Sequence, residues 1–278
     1  MNFPTARQQF YQAISQPEAQ IDLAAAALYI AQEEYPHLAI DAYLSQLDAM
    51  AAAVQARLPT ERYPMKMLQV LSGYLLSTLG FAGNRQNYYD PRNSYLNEVL
   101  DRRLGIPITL SLVYLEVAKR VQFPMAGVGM PGHFLIRPLI EEMAVFVDPF
   151  NGGNILFEAD CEAKFRQLYG PAARWHPDFL APISPKPFLM RLLTNLKMIY
   201  LNQQAFQQVI TILDRLLLLY PDSAYDYRDR GLIHYHLKQY AAAKQDLRQY
   251  LRVAPQHVET AQIHALLEQI EAESQRSD

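Results

Sequence analysis

The sequence predicts an α+β, mostly helical protein: a helical N-terminal part, then one helix leading into a small antiparallel sheet, then C-terminal helical repeats. Three observations carry this reading. Residues 22–58 are rich in Ala, Leu, Gln and Glu, which lose least on entering a helix. Between 126 and 157, short β-type segments alternate with turn signals. The last hundred residues superpose on themselves at an offset of 34.

Taken in order, Pro36 splits the first helical stretch in two. In the second helix, Leu38, Ala42, Leu44, Leu47 and Ala51 recur near three- and four-residue steps and predict one buried stripe. Residues 65–79 predict another apolar helix, with Gly80 and Gly83 as its stop. After Gly105, Pro107 suits the first turn of a helix running through Leu110, Val113, Tyr114 and Val117 toward Pro124. Strands are expected at 126–129, 133–137, 145–147 and 155–157, with turns at Glu141-Glu142 and at Asn151-Gly152-Gly153-Asn154. Pro177, Pro182, Pro185 and Pro187 mark a connector that divides residues 1–182, whose core is 93–158, from 184–278.

Composition excludes several function classes. A formal charge of −3 and a pI near 6.2 supply no basic field for phosphates, so no nucleic-acid partner is expected. Cys161 is the single cysteine, which rules out an intramolecular disulfide and a cysteine zinc site and fits a reducing compartment. The N-terminus has no apolar signal core, and runs such as 216–220 are too short to span a bilayer, so a soluble, cytoplasmic protein without a membrane partner is expected. No phosphate-binding glycine loop, HExxH or GxSxG run occurs. His234 and His236 diverge on a helix, and Glu33 and Glu34 point about 100° apart. No metal and no cofactor are expected.

In the 34-residue repeat, Tyr227, Gly231, Tyr240, Ala243, Leu247 and Pro255 resemble the large, small and proline positions of tetratricopeptide repeats. The units fall at about 188–221 and 224–255, with a capping helix at 258–273. Lys197 stands where Gly is usual and Val209 where Ala is usual. Two repeats and a cap fall short of the roughly three that stand alone, so the array is expected to lean on the preceding domain. Such a tail is either a scaffold that buries its own helix pairs or a concave groove for a peptide. The carboxylate clamp of some repeats of this type is missing, because its positions hold Thr194, Met198, Arg228 and Leu232; Arg228 is kept as a candidate peptide contact.

The runs 93–100, 105–111, 131–135 and 148–153 resemble a bacterial family of the transglutaminase-like superfamily, the Sir-B-type family named after a Salmonella invasion-regulator operon. With the repeats, the resemblance covers nearly the whole chain. It implies a transglutaminase-like (papain-like) domain with Cys at a helix start, His on one strand and Asp on the next. His133 and Asp148 match the last two positions. In a hairpin centred between Ile140 and Glu141, residues whose numbers sum to 281 face each other, so His133 and Asp148 are expected as direct cross-strand neighbours. A carboxylate there fixes the imidazole tautomer and raises its basicity. At the nucleophile position the chain has Pro107, Ile108 and Thr109 and no cysteine. Thr109, or Ser111 two residues on, either offers a hydroxyl nucleophile or bonds backbone in the first helical turn. His133 is either a structural histidine held by Asp148 or part of a retained site, and Asp148 also suits a cap on the 149–153 turn. Asn93 and Asn97 either tie a loop to the helix start or contact substrate.

Three functions follow. One is a non-catalytic regulatory protein that binds a protein or peptide through the groove near His133 and Asp148, the repeat surface, or both; the second is an amide or isopeptide hydrolase or acyl transferase using Thr109, His133 and Asp148; the third is a purely structural subunit. Neither the partner's identity nor the oligomeric state is fixed by the sequence.

Overall fold

Alanine-rich segments with few β-branched residues build the N-terminal helices, as their propensity dictates. The structure, a computed structural model, describes residues 5–140, 143–256 and 258–275. Helix α1 (Thr5–Ile14) packs on α2 (Leu23–Glu34), whose first turn is capped by the Asp22 carboxylate accepting from the Ala25 amide at 3.0 Å. Helix α3 (Ile40–Gln55) follows the break at Pro36. Its buried stripe is Leu47, Met50, Ala51 and Val54. Ala42 is exposed, and Leu38 precedes the helix. The three- and four-residue steps hold, but the stripe begins two turns later than the sequence pattern suggests because the first turn of α3 faces water.

Helix α4 (Pro64–Ser72) continues into a π-helical turn over Gly73–Thr78, and Gly80, at φ 78°, ends the run. Gly83 is not part of that stop. It lies in β1 (Ala82–Gly83), which pairs in parallel with β2 (Leu104–Gly105) across the short helix α5 (Leu96–Arg102). A Cβ on Gly83 would sit 2.6 Å from the Phe150 ring, which explains the need for glycine there.

Helix α6 (Pro107–Arg120) is the centre of this part of the molecule, with every residue from Pro107 to Ala118 buried. A helix apolar around most of its circumference must be enclosed, and α6 contacts α2, α3, α4, α5 and the sheet. The strands are β3 (Met125–Val128), β4 (Leu135–Pro138), β5 (Phe146–Asp148) and β6 (Asn154–Leu156). Helix α7 (Glu158–Tyr169) leads to a fifth strand, β7 (Pro182–Ile183), giving an antiparallel sheet in the order β6-β5-β4-β3-β7. The proline-rich passage thus supplies an edge strand as well as a connection, which suits proline because an edge can spare an amide.

The hairpin register differs from expectation. Ile136 faces Val147, so partner numbers sum to 283, and His133 precedes β4. A two-residue shift leaves every side chain on the same face, so hydrophobic patterning alone does not distinguish the two registers. The Glu141-Glu142 turn lies outside the described residues.

Helix α8 (Pro185–Asn202) contains the division of the chain into two compact units, which falls between Leu192 and Leu193. In the second unit, α9 (Phe206–Leu219), α10 (Ala224–His236), α11 (Tyr240–Val253) and α12 (Thr260–Gln275) follow in order, with α10 packed on α9 and α11, and α11 on α12. Ala243, Leu247, Tyr250, Ile263, Leu267 and Ile270 share one core cluster. Gly231 lets α10 approach α11, since a Cβ there would meet Leu247 at 2.8 Å. Lys197, in place of the usual glycine, spans to Asp226 at 3.3 Å and Asp229 at 3.2 Å.

Candidate functional site

The start of α6 is fastened to the loop before α5 by buried polar groups. Asn93 ends a short 3-10 turn opened by Asp90, whose carboxylate accepts from the Arg92 amide. The Asn93 side chain accepts from Asn84 Nδ2 at 3.0 Å and donates to the Asn87 and Tyr88 carbonyls at 2.7 and 3.2 Å. The Thr109 hydroxyl donates to the Asn93 carbonyl at 2.7 Å and accepts from the Ile106 amide at 3.1 Å. Residue N3 of α6 therefore satisfies an orphan donor at the helix entrance, as a reciprocal cap does. Thr109 is fully buried, its bonds go to backbone, and Ile108 beside it is buried as well. Asn97 and Ser111 are also buried, and neither Asn97 Oδ1 nor Ser111 Oγ has a hydrogen-bond partner among the described residues.

His133 follows Gly132, at φ 75°, in a tight turn closed by its amide bonding the Met130 carbonyl at 3.1 Å. That turn aims the imidazole at β5 from outside the ladder. Nε2 lies 3.0 Å from Asp148 Oδ2, within ion-pair range of a protonated ring but off the N–H direction, so it is no aligned hydrogen bond. The two residues meet diagonally instead of directly across the hairpin, because β4 and β5 pair two residues out of the expected register.

Asp148 is fully buried and meets three neighbours at once, Asn151, His133 and Lys164. Its Oδ1 accepts from the Asn151 amide at 3.2 Å and its Oδ2 from Asn151 Nδ2 at 2.7 Å, capping the turn that follows. Burial opposes its ionisation, but the His133 imidazole, the Asn151 side-chain amide and the Lys164 ammonium outweigh it and hold the carboxyl below its usual value. Lys164 Nζ stands 3.5 Å from Oδ2. Lys164 belongs to the site although no sequence motif singled it out: it lies on α7, and only the packing of that helix brings it to Asp148.

Around this pair the surface is aromatic. The Phe150 ring meets His133 edge-on at 6.3 Å and Tyr88 at 5.9 Å, and Tyr88 stacks edge-on with Tyr89. The Arg85 guanidinium lies over Phe150 and bonds the Asn151 side chain. Leu168 and Tyr169 close on Gly132 from α7. Tyr88, Tyr89, Leu168 and Tyr169 are all exposed. The approach of Phe150 to Tyr88, and of α7 to Gly132, is a tertiary outcome.

The structure thus joins Thr109 to Asn93 and His133 to Asp148. The bonds of the Thr109 hydroxyl go to Asn93 and Ile106, not to the imidazole. Arg228 belongs to the second unit, where it pairs with Asp229 at 2.8 Å and Glu259 at 2.6 Å and covers the Tyr225 ring. Cys161 is enclosed among Val128, Leu135 and Phe146, and burial, with Asp160 nearby, pushes its thiol up to about 12, which leaves it protonated and inert at neutral pH. Among the described residues no cluster of His, Cys, Asp and Glu is placed to hold a metal ion, and no helix is long and apolar enough to cross a membrane.

Comparison with known proteins agrees with this architecture. The family profile described as transglutaminase-like superfamily matches residues 41–194, and a tetratricopeptide repeat profile matches 196–269. A UPF0162 protein of Xylella fastidiosa is 37% identical over 239 residues, 84% of this chain and 85% of that protein. A UPF0162 protein of Vibrio cholerae is 30% identical over 177 residues, 63% of this chain and 65% of that protein. Mouse F-box only protein 21 is 31% identical over 188 residues, which cover 62% of this chain but 28% of its own length. No solved structure matches the chain significantly.

Proposed function

Since this chain belongs to the transglutaminase-like superfamily and, with its tetratricopeptide repeats, to the UPF0162 proteins, we propose that it is a non-catalytic member that binds a protein or peptide at the His133–Asp148 surface. The observation that carries this reading is the Thr109 hydroxyl, fully buried and bonded to the Asn93 carbonyl at 2.7 Å. A hydroxyl nucleophile needs a base within hydrogen-bond reach of its proton, and that proton is already given to backbone. What is left is a buried carboxylate, a half-buried imidazole and an exposed aromatic border. That combination suits recognition, in which aromatic side chains supply contact area at low entropic cost. The role is cytoplasmic and regulatory, in line with the resemblance to the Sir-B-type family. Arg228 and the concave repeat surface offer a second contact, and Asn93 and Asn97 act as ties that hold the site's loop.

The competing reading is an amide or isopeptide hydrolase or acyl transferase using Thr109, His133 and Asp148, and the 3.0 Å imidazole–carboxylate contact is what favours it. One experiment separates partner binding at this surface from binding elsewhere. Full-length wild type and a Tyr88→Ala/Tyr89→Ala double variant are used to capture partners from bacterial extract, with mass spectrometric identification. A defined protein or peptide held by the wild type and lost from the variant is expected. Equal capture by both, or capture by neither, contradicts the proposal.

A further inference from the structure

A cavity of about 660 Å³ in the first unit lies away from His133 and Asp148, beside the C-terminal half of α6. Ile21, Leu115, Phe123, Leu139, Ile183 and Phe188 give it an apolar wall. Its volume falls within the range of about 300–1,000 Å³ typical of small-molecule sites.

One acidic group faces this space. Glu116, about two helical turns along α6 from Thr109, lines the cavity with a side chain only 4% exposed. Its Oε2 accepts from Arg120 Nη1, which also bonds the Glu116 carbonyl at 3.0 Å. Its Oε1 has no hydrogen bond among the described residues, on a side chain that lines the cavity. A carboxylate oxygen offers about two acceptor sites, and an acceptor left open in an apolar wall is costly unless something donates to it. Burial, the largest influence, and Asp22 push the Glu116 carboxyl up while Arg120 and Lys119 pull it down, so a donor bearing positive charge would relieve it most. Arg120 is shared with Asp48 at 2.7 Å, so its positive charge is divided between two carboxylates. Lys119, the cavity's other charged liner, is exposed, so its ammonium stays hydrated and its stem adds apolar surface.

We propose that this cavity binds a small molecule with an apolar body and a primary-ammonium head, the head donating to Glu116 Oε1 and the body lying against Leu115, Phe123 and Phe188. The site is independent of the His133–Asp148 reading and can stand or fall alone.

The test is calorimetry on the full chain at neutral pH with three probes of equal chain length: n-octylamine, n-octanol and octanoate. Octylamine is expected to bind most tightly and octanoate most weakly. E116Q is expected to weaken octylamine by roughly tenfold or more, the order of one charge-assisted hydrogen bond, while octanol changes little. A19W, which places a ring at the mouth from an exposed position, is expected to abolish binding of all three while leaving the fold intact. Octylamine binding no tighter than octanol, octylamine affinity unmoved in a folded E116Q protein, or probe binding unaffected by A19W would overturn the proposal, as would no binding of any probe to the wild type.

Discussion

At the scale of single residues, Thr109 and Asp148 show how one side chain is committed. The Thr109 hydroxyl satisfies the Ile106 amide and the Asn93 carbonyl together, so Thr109→Val leaves two buried backbone groups unpaired and should cost about 1–3 kcal/mol. Thr109→Ser keeps the hydroxyl and should cost less; urea titration of both variants checks this, and a neutral Thr109→Val would contradict the cap. Asp148 has a folded pKa below its unfolded value, so its contribution to stability is full above the unfolded value of about 3.9 and is lost as pH falls through the lower folded value. The stability gap between wild type and Asp148→Asn should therefore be constant near neutral pH and narrow below about pH 4. A gap that widens on acidification would reverse the sign argued here. His133 and Asp148 were legible in the sequence because residue type and order carry them. Lys164 was not, because its link to Asp148 depends on where α7 packs.

Helices and strands were legible wherever a period or a breaker marks them, as Pro36 and the Asn151-to-Asn154 turn do. Two kinds of feature were not. The hairpin register moved by two residues, from a sum of 281 to 283, a change to which a period-two pattern is blind. The π-helical turn at Gly73–Thr78 also has no composition of its own; it arises where Ser72 bonds Tyr114 at 3.0 Å and Ser72 and Leu76 pack against Gly153. The repeat helices, by contrast, follow their sequence signature closely. Gly231→Ala would place a methyl 2.8 Å from Leu247 and overpack the α10–α11 contact, and a loss of about 1–3 kcal/mol is expected in thermal or urea unfolding. No change in stability would show that this contact is looser than its geometry implies. At Gly83 the same logic applies more severely, since the Phe150 ring at 2.6 Å is itself held between Tyr88, His133 and Arg85.

Across the whole molecule, two compact units reflect two textures visible in the sequence: a buried central helix with a small sheet, and a 34-residue helical period. The apolar run of α6 forecasts an enclosed helix, but its cavity does not show in sequence, because Ile21, Leu115, Leu139 and Phe188 converge only on folding. The site keeps imidazole and carboxylate together while its helix-start hydroxyl is spent on backbone. Intact-mass spectrometry of the full chain after incubation with amide and thioester acyl-donor peptides tests this most directly. The account predicts an unchanged protein mass in wild type, His133→Ala and Thr109→Ser alike. An acyl adduct that maps to Thr109 and disappears in His133→Ala would contradict it.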